Sequence, residues 1–210
     1  MTTVLDKKSE YLSDVAAFLE TLYSPLSTVE VRQEVPLGPD NFSKTQTAQT
    51  KQQADNESPV TIFIAYAPAD DEFRKRIEGD LKTLQRQKVP ITWIAYDVTE
   101  AVELTTDIVN PLDAYELFLL LLSPDFVQLD YCYSTQMEQL VKKHQQGVWV
   151  SPILLRECLW EDTPFGKKKP PLPILPSSQP IAKWPDRDEA YKKIAIGVKR
   201  AVNYLRDHRG

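Results

Sequence analysis

The chain has 210 residues, 42% of them hydrophobic and 26% charged, enough for one substantial core and an appendage. A net charge of −5 and a pI near 5.2 speak against a protein devoted to nucleic acid, which ordinarily carries a basic face. No apolar run approaches the roughly 18 residues that cross a bilayer, and the N-terminus lacks the apolar segment of a secretory signal.

The first 24 residues carry one amphipathic stripe of Tyr11, Leu12, Val15, Phe18, Leu19 and Leu22, closed by Pro25. A lone helix of that length is marginal in water, so the stripe is expected to dock on the main domain, on a second copy or on a partner. Val29, Val31 and Val35 alternate like a short strand that Pro36 and Pro39 cut off. Residues 43–58 are rich in Gln and Thr and nearly free of apolar side chains, which predicts a flexible linker. The expected division is therefore an extension over 1–42, a linker over 43–58, a folded domain over 59–206 and a short tail over 207–210.

Within the domain, strands and helices alternate. Val60 to Ala67 reads as a strand, and Pro68 to Gln87 as a helix burying Phe73, Ile77, Leu81 and Leu84. Asp70, Asp71 and Glu72 at its start complement the positive end of the helix dipole. A second strand is expected over Pro90 to Tyr96, then a loop and short helix to about Asp113. The six apolar residues Leu117 to Leu122 look like a strand buried on both faces. Ser123 and Pro124 suit an N-cap and first helical position, with a helical pattern from about Asp130. Val148 to Leu155 reads as a fourth strand, followed by a proline-rich loop over 156–185. Asp186, with Glu189 three positions on, predicts the cap of a last helix that buries Ala190, Ile194, Val198, Val202 and Leu205. This order implies an α/β domain with a parallel sheet, whose carboxyl edge is where such folds bind ligands.

Few residues announce chemistry. Cys132 and Cys158 have no Cys or His at metal spacing, so no metal site is expected and both are read as free thiols of a reducing cytoplasm. His144 reads as a structural residue, and Lys167 to Lys169 as a solvated turn. Trp160 and Trp184 read as pins of the proline-rich loop. No Gly-rich phosphate loop or Ser-His-Asp pattern is present.

Several stretches together resemble the Toll/interleukin-1 receptor (TIR) domain in its bacterial form. VTIFIAYAPADDEFRKRIEGDL at 60–81 is similar to the opening strand and acidic helix start, SPDFVQLDYCY at 123–133 to the exit of the third strand. CLWEDTPFGKKKPPLP from Cys158 and PIAKWPDRDEAY at 180–191 are similar to the late loop and final helix. The resemblance implies a flavodoxin-like fold with helices on both faces of the sheet. It also implies one of two activities. One is assembly with other TIR domains, of its own kind or another, as a cytoplasmic signalling module. The other is cleavage of NAD at the nicotinamide–ribose bond, by hydrolysis or cyclisation, in a role such as bacterial immunity.

The catalytic members use a glutamate in D-Y-C-Y-x-x-E-M. Here Asp130, Tyr131, Cys132, Tyr133, Ser134 and Thr135 lead to Gln136. An amide keeps the hydrogen-bonding carbonyl but cannot supply the charge that stabilises a developing ribosyl cation. Glu138 lies about 200° further round the helix and does not replace it. The family's F-I-S-Y serine is Ala65. The loop after the second strand has Asp97 and Val98 with no glycine through Ile108, and Leu104 stands near the expected tryptophan, so Thr99 to Ile108 could continue as helix. These coinciding changes favour natural divergence over a substrate-trapping substitution. The resemblance thus gives Gln136 as the altered catalytic position, with Ala65, Tyr66, Asp97, Cys132 and Tyr133 as residues of the NAD cleft. It implies no bound cofactor, NAD being substrate or ligand. The expected partners are TIR domains, a second copy of the chain among them.

Overall fold

The computed structural model describes residues 58–99, 114–167 and 172–209. The N-terminal stripe, the alternating valines, the linker up to residue 57 and the helical continuation over 100–108 with Leu104 lie outside them. So do Lys168 and Lys169.

Among the described residues four strands form one all-parallel sheet: β1 Val60–Tyr66, β2 Ile91–Asp97, β3 Leu117–Leu122 and β4 Trp149–Leu154. Their spatial order is β2-β1-β3-β4, the flavodoxin-like arrangement. Each observed strand lies within a residue or so of the expected one, and β3 coincides with it.

The unalternating sequence of β3 has a direct cause. Leu117, Leu119 and Leu121 enter the core on one face of the sheet, Phe118, Leu120 and Leu122 the core on the other. None of the six is more than 1% exposed. Burying each such side chain contributes roughly 1.5–3 kcal/mol relative to leaving it in water. Pairing with β1 on one side and β4 on the other satisfies the backbone that this burial removes from solvent.

Two helices cover the first face. α1, Asp71–Arg86, buries Ile77, Leu81 and Leu84, the four-then-three spacing of a single helical stripe, while Phe73 is half-buried. It follows a 3-10 turn over Pro68–Asp70 rather than starting at Pro68. Arg74 ties its outer side together, pairing with Asp71 at 2.6 Å and Glu78 at 2.7 Å.

The C-terminal helix, α4, completes that layer. It runs Arg187–Asp207, and Asp186 caps it by accepting from the N–H of Asp188 at 2.9 Å and Glu189 at 3.4 Å. Glu189 pairs with Lys193 at 3.1 Å, so only the Asp186 half of the expected capping box is formed. Ala190, Ile194, Val198 and Val202 are buried as expected and Leu205 half-buried. A Cβ on Gly197 would lie 2.5 Å from Leu175 Cδ2, which lets the proline-rich loop approach the helix closely.

The opposite face holds α2, Pro124–Val127, and α3, Thr135–His144. A 3-10 turn over Asp130–Tyr133 separates them, so the helical pattern expected from Asp130 arrives in pieces. Ser134 causes the break: its extended backbone (φ −73°, ψ 158°) ends the turn, and its Oγ accepts from Met137 N at 3.3 Å to start α3.

The β4 edge is closed by the proline-rich loop. Leu175 N donates to Pro152 O at 2.8 Å and Ala182 N to Leu155 O at 2.9 Å. Trp160 packs on one core and Trp184 on the other, so each pins the loop as expected. At the amino edge of the sheet, Arg209 reaches both Glu116 oxygens, at 2.9 and 2.7 Å, and the carbonyl of Ser58 at 2.6 Å. Among the described residues no helix is long and apolar enough to cross a membrane.

Candidate functional site

The chain leaves β1 toward the α1 face and leaves β3 toward the α2 face. Adjacent strands with diverging exits make the topological switch point, where open α/β sheets bind ligands. Two residues meet there, Asp70 in the turn after β1 and Ser123 directly after β3.

Both are fully buried. Ser123 is the N-cap that its position beside Pro124 predicted, accepting from Phe126 N at 3.1 Å. The same hydroxyl donates to Asp70 Oδ2 in a short hydrogen bond. Arg156, just past β4, donates to Asp70 Oδ1 at 2.7 Å and also bridges to Asp125 in α2. The hydrogen bonds to Asp125 and Asp70 hold the Arg156 guanidinium still more firmly in its charged form. One buried carboxylate therefore joins the exits of β1, β3 and β4.

Asp70 stands at the N-terminus of α1 as expected, and burial adds partners beyond the helix. Its carboxylate makes no cap hydrogen bond to α1 and has no solvent exposure. Hydrogen bonds from Lys75 and Arg74 to the neighbouring Asp71 lower its pKa. Sequence reasoning passed over Arg156 altogether. Its one signal was position, a lone arginine at the end of an apolar strand.

Gln136 is the second residue of α3 and half-buried. Met137 and Leu140 turn into the core while Glu138 is exposed, so Glu138 points away from the protein as its helical angle requires. The remaining candidates divide between environments. Ala65 and Cys132 have no exposed surface and share the core beneath α2 and α3, so their side chains offer nothing for a ligand to touch. Cys132 donates its thiol to Phe126 O at 3.0 Å, and burial pushes its pKa up to about 12. Tyr66 packs on the opposite face, with Arg74 over its ring at 5.2 Å. Asp97 is its register partner on β2 and accepts from Thr99 N at 2.9 Å and Thr99 Oγ1 at 2.7 Å, a turn closed on itself. Tyr133 is 57% exposed.

Both cysteines are free, Cys132 buried and Cys158 half-buried. His144 is buried, with Nδ1 2.9 Å from Val148 O. Lys167 is exposed and lies 3.9 Å from Asp162. Among the described residues no three His, Cys, Asp or Glu side chains gather as a metal site.

No family model matches the chain, and no solved structure matches it significantly. The chain is similar to the uncharacterized protein y4lF of Sinorhizobium fredii (strain NBRC 101917 / NGR234), 36% identical over 144 residues. That match takes in 68% of this chain and 43% of the relative, so the chain spans less than half of that protein's length.

Proposed function

We propose that this protein is a TIR-type interaction module that acts by assembling with other TIR domains, and that its capacity to cleave NAD is lost or strongly reduced. The observation that carries the reading is the half-buried amide of Gln136 in the first turn of α3, where the resemblance calls for a carboxylate. The carboxylates of the adjoining strand exits offer no replacement. Asp70 is buried and bound by Ser123 and Arg156, and Asp125 is paired with the same arginine. Losing a charge-stabilising group of this kind costs about two to four powers of ten in rate. Two free thiols fit a reducing compartment.

The competing reading is an active NAD hydrolase or cyclase that uses Gln136 and Tyr133 with other groups. Incubation of the full chain at high concentration with NAD, followed by chromatography for nicotinamide, separates the two. No release is the expected result. Release that vanishes on Gln136→Ala would sink the module reading, and release only on Gln136→Glu would show an intact cleft that lacks its charge.

A further inference from the structure

The two edges of the sheet are built differently. On the β4 side the proline-rich loop covers the edge, and Pro152 within β4 has no N–H to offer. Among the described residues the β2 side has no such guard. From Ile91 to Tyr96 the strand reads ITWIAY, with no charge, no proline and no glycine. Natural edge strands are normally blunted by lysine, proline or a bulge, and an uncharged β-prone hexapeptide is the composition that pairs with another chain.

The hydrogen-bond pattern tells which backbone groups face outward. Pro90 O accepts from Val60 N and so points toward β1. In a parallel pair the residues alternate in direction, so Thr92, Ile94 and Tyr96 bond β1 while Ile91, Trp93, Ala95 and Asp97 face out. Ile91 O is already taken by the amide of Gln85 at 2.8 Å. Among the described residues no backbone hydrogen bond reaches the outward groups of Trp93 or Ala95. Beside them Thr92 is exposed and Ile94 is 44% exposed.

We infer that the β2 edge is a self-association surface, on which β2 of a second copy pairs antiparallel about a two-fold axis through Ile94. The register follows from the outward groups. A two-fold at Ile94 sets Trp93 opposite the second copy's Ala95 and Ala95 opposite its Trp93, so both become hydrogen-bonded pairs. Ile94 then faces its own copy, and Thr92 faces Tyr96, at non-hydrogen-bonded positions where side chains approach most closely. Charge selects the direction. The one charged residue of the strand is Asp97 at its end. Parallel pairing would set the two Asp97 carboxylates side by side, whereas antiparallel pairing parts them by roughly 20 Å, six residues of strand. The product is a continuous eight-stranded sheet whose new contact is uncharged at its centre, with an Asp97 at each end.

This surface rests on the reading that the chain self-assembles, but it fails separately from it. The test uses the full chain and measures mass by sedimentation over a wide concentration range. The parent is expected to form a concentration-dependent dimer, which Ile94→Lys weakens at least tenfold with an unchanged circular dichroism spectrum. Lysine there would set like charges face to face across the axis. As a second readout, Ile94→Cys in a Cys158→Ser chain is expected to cross-link to itself under mild oxidation. Thr92→Cys in the same background is expected not to, because the axis parts the two Thr92 positions by roughly 13 Å. A dimer that survives Ile94→Lys, or cross-links equally well at both cysteines, overturns the edge while leaving assembly standing. A strict monomer at every concentration overturns both.

Discussion

Ser123, at the exit of β3, donates its hydroxyl to the carboxylate of Asp70, fifty-three positions earlier at the exit of β1, and neither residue touches solvent. The same serine oxygen caps α2 through Phe126 N. One side chain thus joins two strand exits and starts a helix. Ser123→Ala removes both contacts and leaves the buried carboxylate a partner short. The expected loss is about 2–3 kcal/mol, and thermal denaturation should show a drop of roughly 4–12 °C for a chain of this size. A melting temperature within a degree of the parent would remove the hydroxyl from the account.

Arg156 supplies the positive charge in that cluster. Arg156→Met strands the Asp70 charge in the core, and the expected cost is about 2–4 kcal/mol, near the low end for a buried pair because the arginine is partly exposed. Asp70→Asn in the same chain should recover part of the loss, since the asparagine amide is neutral. Urea denaturation of the two single variants and the double variant measures the coupling. Strict additivity would mean that the two groups do not depend on each other.

The thiols give a pH dependence of defined sign. Burial raises Cys132 to about 12 and Cys158 to about 11, against an ordinary 9.0. A group whose native pKa is raised contributes stability that is present below its unfolded value and lost as pH rises through the native one. Stability is therefore expected to fall progressively between about pH 9 and pH 12, and less steeply in Cys132→Ala than in the parent. At pH 8 a thiol reagent should label Cys158 slowly, and Cys132 only once denaturant has opened the core.

Gly166 predicts a backbone clash rather than a lost contact. A Cβ there would sit 2.1 Å from Trp160 O and 2.7 Å from Glu161 Cα. Backbone cannot swing aside as a side chain can, so Gly166→Ala should displace the turn over Trp160–Asp162 and cost about 1–3 kcal/mol. Trp160 is half-buried in that turn, so its fluorescence maximum should move to longer wavelength. An unchanged spectrum and melting curve would show that the turn relaxes freely.

Gln136→Glu places an anion in the first turn of α3, near the positive end of the helix dipole, on a half-buried side chain. Stability is expected to change by less than about 1 kcal/mol. Equal melting curves would make any gain in nicotinamide release a statement about charge alone. A large loss of stability would mean that the amide is held by contacts the carboxylate cannot make.

What the sequence determined by itself was everything set by near neighbours. The run at Leu117–Leu122, the Ser123 and Asp186 caps and the stripes of α1 and α4 follow from periodicities of two and 3.6 residues and from side chains that bond backbone two or three positions on. Those features are present almost to the residue, and the alternation of strand and helix was enough to imply the parallel sheet. The candidate site was legible only in outline: the carboxyl edge of the sheet and the helix that follows β3, with Gln136 on its first turn. Only the tertiary structure decided what Asp70 does, because its partners Ser123 and Arg156 lie 53 and 86 positions away. It alone sent Ala65 and Cys132 into the core, Tyr66 to the opposite face and Tyr133 to solvent. Among the described residues, it alone left β2 at an uncovered edge while folding the proline-rich loop over β4. The reason is the same in each case: burial and pairing at a strand exit are fixed by which strands come to lie side by side, and that order is a property of the whole sheet.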